Sequence, residues 1–232
     1  MIEKLFGEVV LKDLIKEKYL LLKNVKEANT WLKENYKGIE KVLTRNQKDV
    51  IQSYCGSSNG LFYDYMSKDR YMRKEYNPQF RETMDNNIKE FEKAIYRYPL
   101  RENIIVFRWV SYDRLMSLFE QGNKDISKAK EGDIIKYRTF LSTTIAYENK
   151  NFPGSQAYHI KEDKECLLVI KVPKGEGAIY TGGEGANELG NSDEYELVFA
   201  PKKRLKLEKT YEYLGEPTKR YNKIFIFEML AG

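Results

Sequence analysis

Glu194 and Glu196 stand one residue apart in Ser192-Asp193-Glu194-Tyr195-Glu196-Leu197-Val198-Phe199, at the mouth of an apolar run. In extended backbone, residues i and i+2 point the same way, so the spacing predicts both carboxylates on one side and Tyr195 on the other. Two acids this close repel each other unless water or a cation is near. A pair kept at that cost is a candidate active site. Two motifs upstream add to it. Val106-Phe107-Arg108-Trp109 places an arginine at the end of an apolar run, where a planar guanidinium can grip a phosphate with two parallel hydrogen bonds. Phe140-Leu141-Ser142-Thr143-Thr144 ends another run in hydroxyls, which can hold a carboxylate or a ribose. Alone, the arginine reads as a salt bridge and the threonines as ordinary strand composition.

These residues must be positioned by the surrounding elements. Up to about residue 96 the chain reads as helices. Ile2, Leu5, Phe6, Val9, Val10 and Leu14 recur at helical spacing. So do Trp31, Leu32, Tyr36, Ile39, Val42 and Leu43, and Met84, Ile88, Phe91 and Ile95. Residues 67–78 read as a polar loop. From Pro99 the apolar runs become short, β-branched and aromatic: 103–110, 137–145, 166–172, 177–181, 194–200, 204–213 and 223–229. One helix interrupts them, capped by Ser111, with Leu115, Leu118 and Phe119 as its stripe and Gly122 at its end. Helices followed by strands predict an α+β fold, with helices packed on an antiparallel sheet or small sandwich. The expected organisation is one domain, 1–232, with a helical lobe over 1–96 and a β-rich core over 97–232.

Composition narrows the function classes. Net charge is +5 with both signs interspersed, which does not indicate nucleic acid. The basic run 202–207 carries apolar Leu205 and Leu207 and reads as a strand with a solvated face. Cys55, Cys166 and the single His159 predict no disulfide framework, no metal site and no histidine-based triad. No run of about 18 apolar residues is present to span a membrane. Met1-Ile2-Glu3-Lys4-Leu5-Phe6 is mixed in charge and unlike a signal peptide. The glycine-rich stretch 180–190 is followed by no Lys-Ser/Thr and contains no GxGxxG, so neither phosphate-loop fingerprint fits. It reads as a flexible loop leading into Glu194.

In order and spacing, the three motifs resemble the Arg…Ser-Thr-Ser…Glu-x-Glu signature of the bacterial mono-ADP-ribosyltransferase toxins, above all the catalytic domains of binary actin-modifying toxins. The resemblance extends over roughly residues 30 to 230, through Pro99-Leu100-Arg101-Glu102-Asn103-Ile104-Ile105, Leu167–Gly175 and Tyr54-Cys55-Gly56-Ser57-Ser58. It implies NAD as co-substrate and no metal. It also implies an ADP-ribosyltransferase fold and transfer of ADP-ribose to an arginine of a host protein, with actin one candidate. By resemblance, Glu196 stabilises the cationic sugar, Ser142 orients it and Arg108 grips the pyrophosphate. The resemblance also implies that Ser142, Thr143, Phe152 and Tyr54 contact NAD together with Arg108 and Glu196. Glu194 acts on the acceptor, because arginine stays protonated below a pKa of about 12 and needs a base. The family often carries a second arginine at the position of Trp109, and Thr144 replaces its last serine. Secretion or delivery into a target cell, with a separate translocation component, is the implied setting. An NAD glycohydrolase and an inactive binding module are the alternatives.

Overall fold

The computed structural model describes residues 14, 18–56, 58–68, 71–111, 129–146, 165–181, 195–212 and 223–231. The expected N-terminal helix stripe lies mostly outside these residues, as do the helix after Ser111 and His159. Asn24 starts α1 (Val25–Asn35) by accepting from the Glu27 N–H, while the Glu27 carboxylate accepts from the Lys23 N–H. Gly38 has φ 79°, a left-handed conformation that costs a glycine nothing. The stripe from Trp31 to Leu43 is therefore broken into α1 and a short α2 (Ile39–Val42). Val42, expected in the core, is 53% exposed in consequence.

A capping box between Thr44 and Gln47 opens α3 (Arg45–Cys55). It is followed by α4 (Asn59–Ser67), a 3-10 turn over Met72–Glu75, and α5 (Pro78–Tyr96), which Asn77 caps with proline in the first turn. The 3-10 turn lies in the stretch read as a loop. At the end of α4, Arg73 donates to Met66 O and Arg138 to Ser67 O, supplying donors to carbonyls that a helix terminus leaves open. Tyr54, Phe62, Phe91 and Phe140 join α3, α4 and α5 to the segment preceding Ser142. Ring centroids are 4.9 Å apart for Tyr54–Phe91 and 4.5 Å for Phe91–Phe140.

Among the described residues eight strands follow: β1 (Ile104–Ser111), β2 (Ile134–Tyr137), β3 (Leu141–Thr144), β4 (Glu165–Val172), β5 (Ala178–Tyr180), β6 (Glu196–Phe199), β7 (Lys203–Glu212) and β8 (Lys223–Met229). They form one sheet in the order β2-β7-β8-β4-β1-β3-β6-β5. Among these strands only β4 and β8 pair in parallel, and Leu20 adds an isolated parallel bridge to Ile104 on β1. The α+β expectation holds. Alternation along β1 sends Ile104, Val106 and Val110 into the core shared with the helices, and Ile105, Phe107 and Trp109 to a second cluster with Leu14, Leu167 and Ile226.

Two strand expectations are corrected. The run 137–145 is not one strand, because β2 pairs with β7 at one edge of the sheet while β3 lies between β1 and β6. The polar residues Arg138 and Thr139 fall in the crossing between them. Arg108 is not at a strand end either, since β1 continues to Ser111.

Ion pairs brace the sheet. Buried Lys203 pairs with buried Glu176, and Lys171 meets Glu208 at 2.6 Å. Lys203 departs from the solvated basic face expected of its run. The edge strand β5 is held by Tyr36, whose hydroxyl donates to Ala178 O at 3.2 Å. Just before it, Gly177 is required by close approach, because a Cβ there would lie 2.9 Å from Tyr96 Cδ1.

Candidate active site

Glu196 begins β6 with β3 on one side and β5 on the other. Its Oε1 accepts from Ser142 Oγ on β3, and its Oε2 accepts from Thr181 Oγ1, one residue past β5. Both oxygens of a carboxylate that is only 5% exposed are thus held by hydroxyls. Burial raises its proton affinity above the ordinary carboxylate value. The hydrogen bonds from Ser142 and Thr181 and the charge of Arg108 oppose that shift without cancelling it.

Arg108 faces the helical layer from β1 and is also buried. Nη1 donates to Ser142 O, and Nη2 donates to Tyr63 OH on α4 at 2.8 Å. The rings of Tyr63 and Tyr137 each lie 5.9 Å from its Cζ. Its Nε is buried with no partner, and among the described residues no carboxylate forms an ion pair with it. A buried guanidinium bonded only to neutral oxygens is prepared for an anion. Tyr54 completes this wall. Its hydroxyl is buried without a partner, and burial, then Tyr63 and Glu196, hold it protonated far above the usual tyrosine range.

Four of the residues singled out by sequence therefore converge: Arg108, Ser142, Glu196 and Tyr54. The Thr143 hydroxyl is committed to Leu197 O at 2.9 Å. Glu194, Phe152 and the glycine-rich stretch beyond Thr181 lie outside the described residues. Tyr195 has φ 48°, so the extended alternation assumed across Glu194-Tyr195-Glu196 fails at its middle residue. Asn29 on α1 donates to the Tyr195 hydroxyl at 3.3 Å. Trp109 lies on the face of β1 opposite to Arg108, so a cation at that position would not stand beside it. Two clefts of about 690 and 650 Å³ open elsewhere, and neither is lined by Arg108, Ser142 or Glu196.

A profile of the ADP-ribosyltransferase exoenzymes matches residues 28–230. The chain belongs to the ADP-ribosyltransferase exoenzyme family. Solved structures carry the same fold at low identity. Plx2a, an ADP-ribosyltransferase toxin from Paenibacillus larvae, is 17% identical with a TM-score of 0.67, over 91% of this chain and 100% of that one. BECa, an ADP-ribosylating toxin of a binary enterotoxin of C. perfringens solved with NADH, is 21% identical with a TM-score of 0.68. It is matched over 90% of this chain but 50% of its own length. C3stau2 from S. aureus, solved with NAD, is 15% identical with a TM-score of 0.65, over 93% and 100%. No curated protein matches the sequence.

Within this exoenzyme fold, sequence reasoning missed Tyr63 and Thr181. Tyr63 lies in the aromatic run Phe62-Tyr63-Asp64-Tyr65, where nothing marks one tyrosine over another. Thr181 was legible only as the residue closing a strand. Among the described residues no cluster of His, Cys, Asp or Glu could hold a metal ion, and no helix is long and apolar enough to cross a membrane.

Proposed function

We propose that this exoenzyme is an NAD-dependent mono-ADP-ribosyltransferase that moves ADP-ribose to an arginine of a target protein and releases nicotinamide. One observation carries the reading: a buried carboxylate clamped at both oxygens stands beside a buried guanidinium that, among the described residues, has no carboxylate partner and an unbonded Nε. NAD fits these residues. Its pyrophosphate supplies the anion that Arg108 lacks, and the unpartnered Tyr54 hydroxyl is a donor without an acceptor.

The chemistry follows from the charges. The glycosidic C–N bond breaks with its electron pair leaving on nicotinamide, which departs neutral and needs no acid. Positive charge develops on the ribose and is stabilised by the Glu196 carboxylate, as in glycoside cleavage. Ser142 keeps that carboxylate in place, and Thr143 and Phe152 are assigned to the NAD site by family resemblance. Glu194 supports arginine as the acceptor, since a guanidinium must lose a proton as its nitrogen attacks. Actin is a candidate target. The likeness to BECa, of whose length this chain spans half, favours a bacterial toxin brought into a target cell by a separate translocation component.

The test is incubation with labelled NAD and a eukaryotic cell lysate, comparing wild type with Glu196→Gln on a gel. A discrete labelled band that requires Glu196 supports the transferase. Glu196-dependent nicotinamide release without a band reassigns the chain as an NAD glycohydrolase. Absence of both signals leaves a binding module.

A further inference from the structure

Glu196 is held by the two strands flanking its own, and the donor on the β5 side belongs to no motif. We infer that Thr181 is a positioning residue for the reaction, fixing the plane of the Glu196 carboxylate together with Ser142. The inference rests on the reading of Glu196 as the carboxylate that stabilises the cationic sugar.

Three observations support it. First, Thr181 is bound to Glu196 at two points: its N–H donates to Glu196 O at 3.2 Å, and its Oγ1 donates to Oε2. Main chain and side chain are registered together. Second, the terminal torsion of a glutamate is broad and roughly two-fold, so one donor leaves the carboxylate free to rock about its last bond. Ser142 on Oε1 and Thr181 on Oε2, one from each neighbouring strand, remove that freedom. A carboxylate has about four lone-pair sites, so each oxygen keeps one for a ribose hydroxyl or the developing cation. Third, Thr181 is 2% exposed, so water cannot readily replace its hydroxyl. Threonine suits the position because branching at Cβ restricts χ1 and aims the hydroxyl.

Thr181 acts through the Glu196 carboxylate, so its loss acts on the chemical step more than on NAD affinity. It also removes a bond that favours the ionised carboxylate, leaving burial less opposed.

The experiment measures nicotinamide release against pH for wild type, Thr181→Val, Thr181→Ser and Glu196→Gln. Thr181→Val should lower kcat by roughly tenfold or more, the scale of a hydrogen bond to a charged group, with the KM for NAD within about twofold. The acid limb of the rate profile should move to higher pH by about one unit. Thr181→Ser, which keeps the donor, should restore both. A wild-type limb and kcat in Thr181→Val overturn the inference while Glu196→Gln remains inactive. Near-normal release by Glu196→Gln instead removes the reading beneath it, and the two failures are thereby distinguished. If Thr181→Val does not fold, Thr181→Cys supplies a weaker donor of similar size. Its limb should fall above that of wild type, and a wild-type limb overturns the inference equally.

Discussion

Arg108 donates to the main-chain carbonyl of Ser142, and the side chain of the same serine donates to Glu196. Guanidinium and carboxylate are thus spaced by one residue across the adjacent strands β1, β3 and β6. Among the described residues, no ion pair joins them directly. Such a pair would occupy the proposed phosphate-binding group and the proposed charge-stabilising group with each other. The serine between them keeps the two close and available.

Arg108→Lys keeps the charge but loses the fork that reaches Ser142 O and Tyr63 OH together. The KM for NAD should rise by about ten- to a hundredfold, with a smaller change in kcat. Steady-state kinetics and calorimetric titration with NAD check this. An unchanged affinity would show that the pyrophosphate binds elsewhere.

Glu196→Gln should lower both nicotinamide release and transfer by about a hundred- to a thousandfold, the usual scale for an electrostatic contact made in the transition state. Its stability should have a distinctive pH dependence. Because the folded carboxyl binds its proton more tightly than the ordinary value of 4.5, wild type loses stability as pH rises through the window between that value and the raised one. Glutamine lacks the ionisation. The melting temperature of the variant relative to wild type should therefore climb through that window and level off above it. A difference that stays flat from pH 4 to pH 8 would contradict the raised value.

Glu194→Gln should abolish transfer to an arginine acceptor while sparing much of the NAD hydrolysis. Mass spectrometry of the acceptor, run beside a nicotinamide assay, separates the two activities. Equal loss of both would assign Glu194 to NAD cleavage instead.

Tyr54→Phe removes a buried hydroxyl that has no partner, so the fold should lose nothing and could gain up to about 1–3 kcal/mol. NAD affinity should fall. Thermal melts and NAD titration together test the pair of outcomes, and destabilisation without loss of affinity would make Tyr54 a packing residue only.

Lys203→Met leaves Glu176 charged and buried without its partner, at a cost of about 3–5 kcal/mol. The double variant Glu176→Leu/Lys203→Met should recover most of that loss in a denaturant melt. Additive destabilisation would show that the placement of the Lys203 ammonium 5.2 Å from the Tyr96 ring centroid matters more than the charge pairing.

Much of the fold was legible because periodicity and β-branching report burial directly, as in Lys223–Met229 and the stripe Met84, Phe91 and Ile95. The misreadings have local causes. Gly38 stands between two helices, at the start of the second, with a backbone angle that the apolar pattern does not encode, and Arg138 belongs to a crossing that composition alone renders as strand. At the site, Arg108, Ser142 and Glu196 were visible through their order along the chain. Tyr63 and Thr181 were not, because each joins the site through a contact distant in sequence: Tyr63 with Arg108 and Thr181 with Glu196.

The strand order also sets the timing of activity. The clamp on Glu196 needs β3, β6 and β5 side by side, and the guanidinium beside it needs β1, which is about ninety residues earlier in the chain. β1 reaches the clamp through β3, Phe107 pairing with Thr144 and Ser142 with Val198 on β6, and pairings between segments so separated in the chain form slowly. A chain that has been unfolded should therefore regain catalysis late and all at once, after its helices have reformed. No fragment that ends before Glu196 should retain even a trace of it.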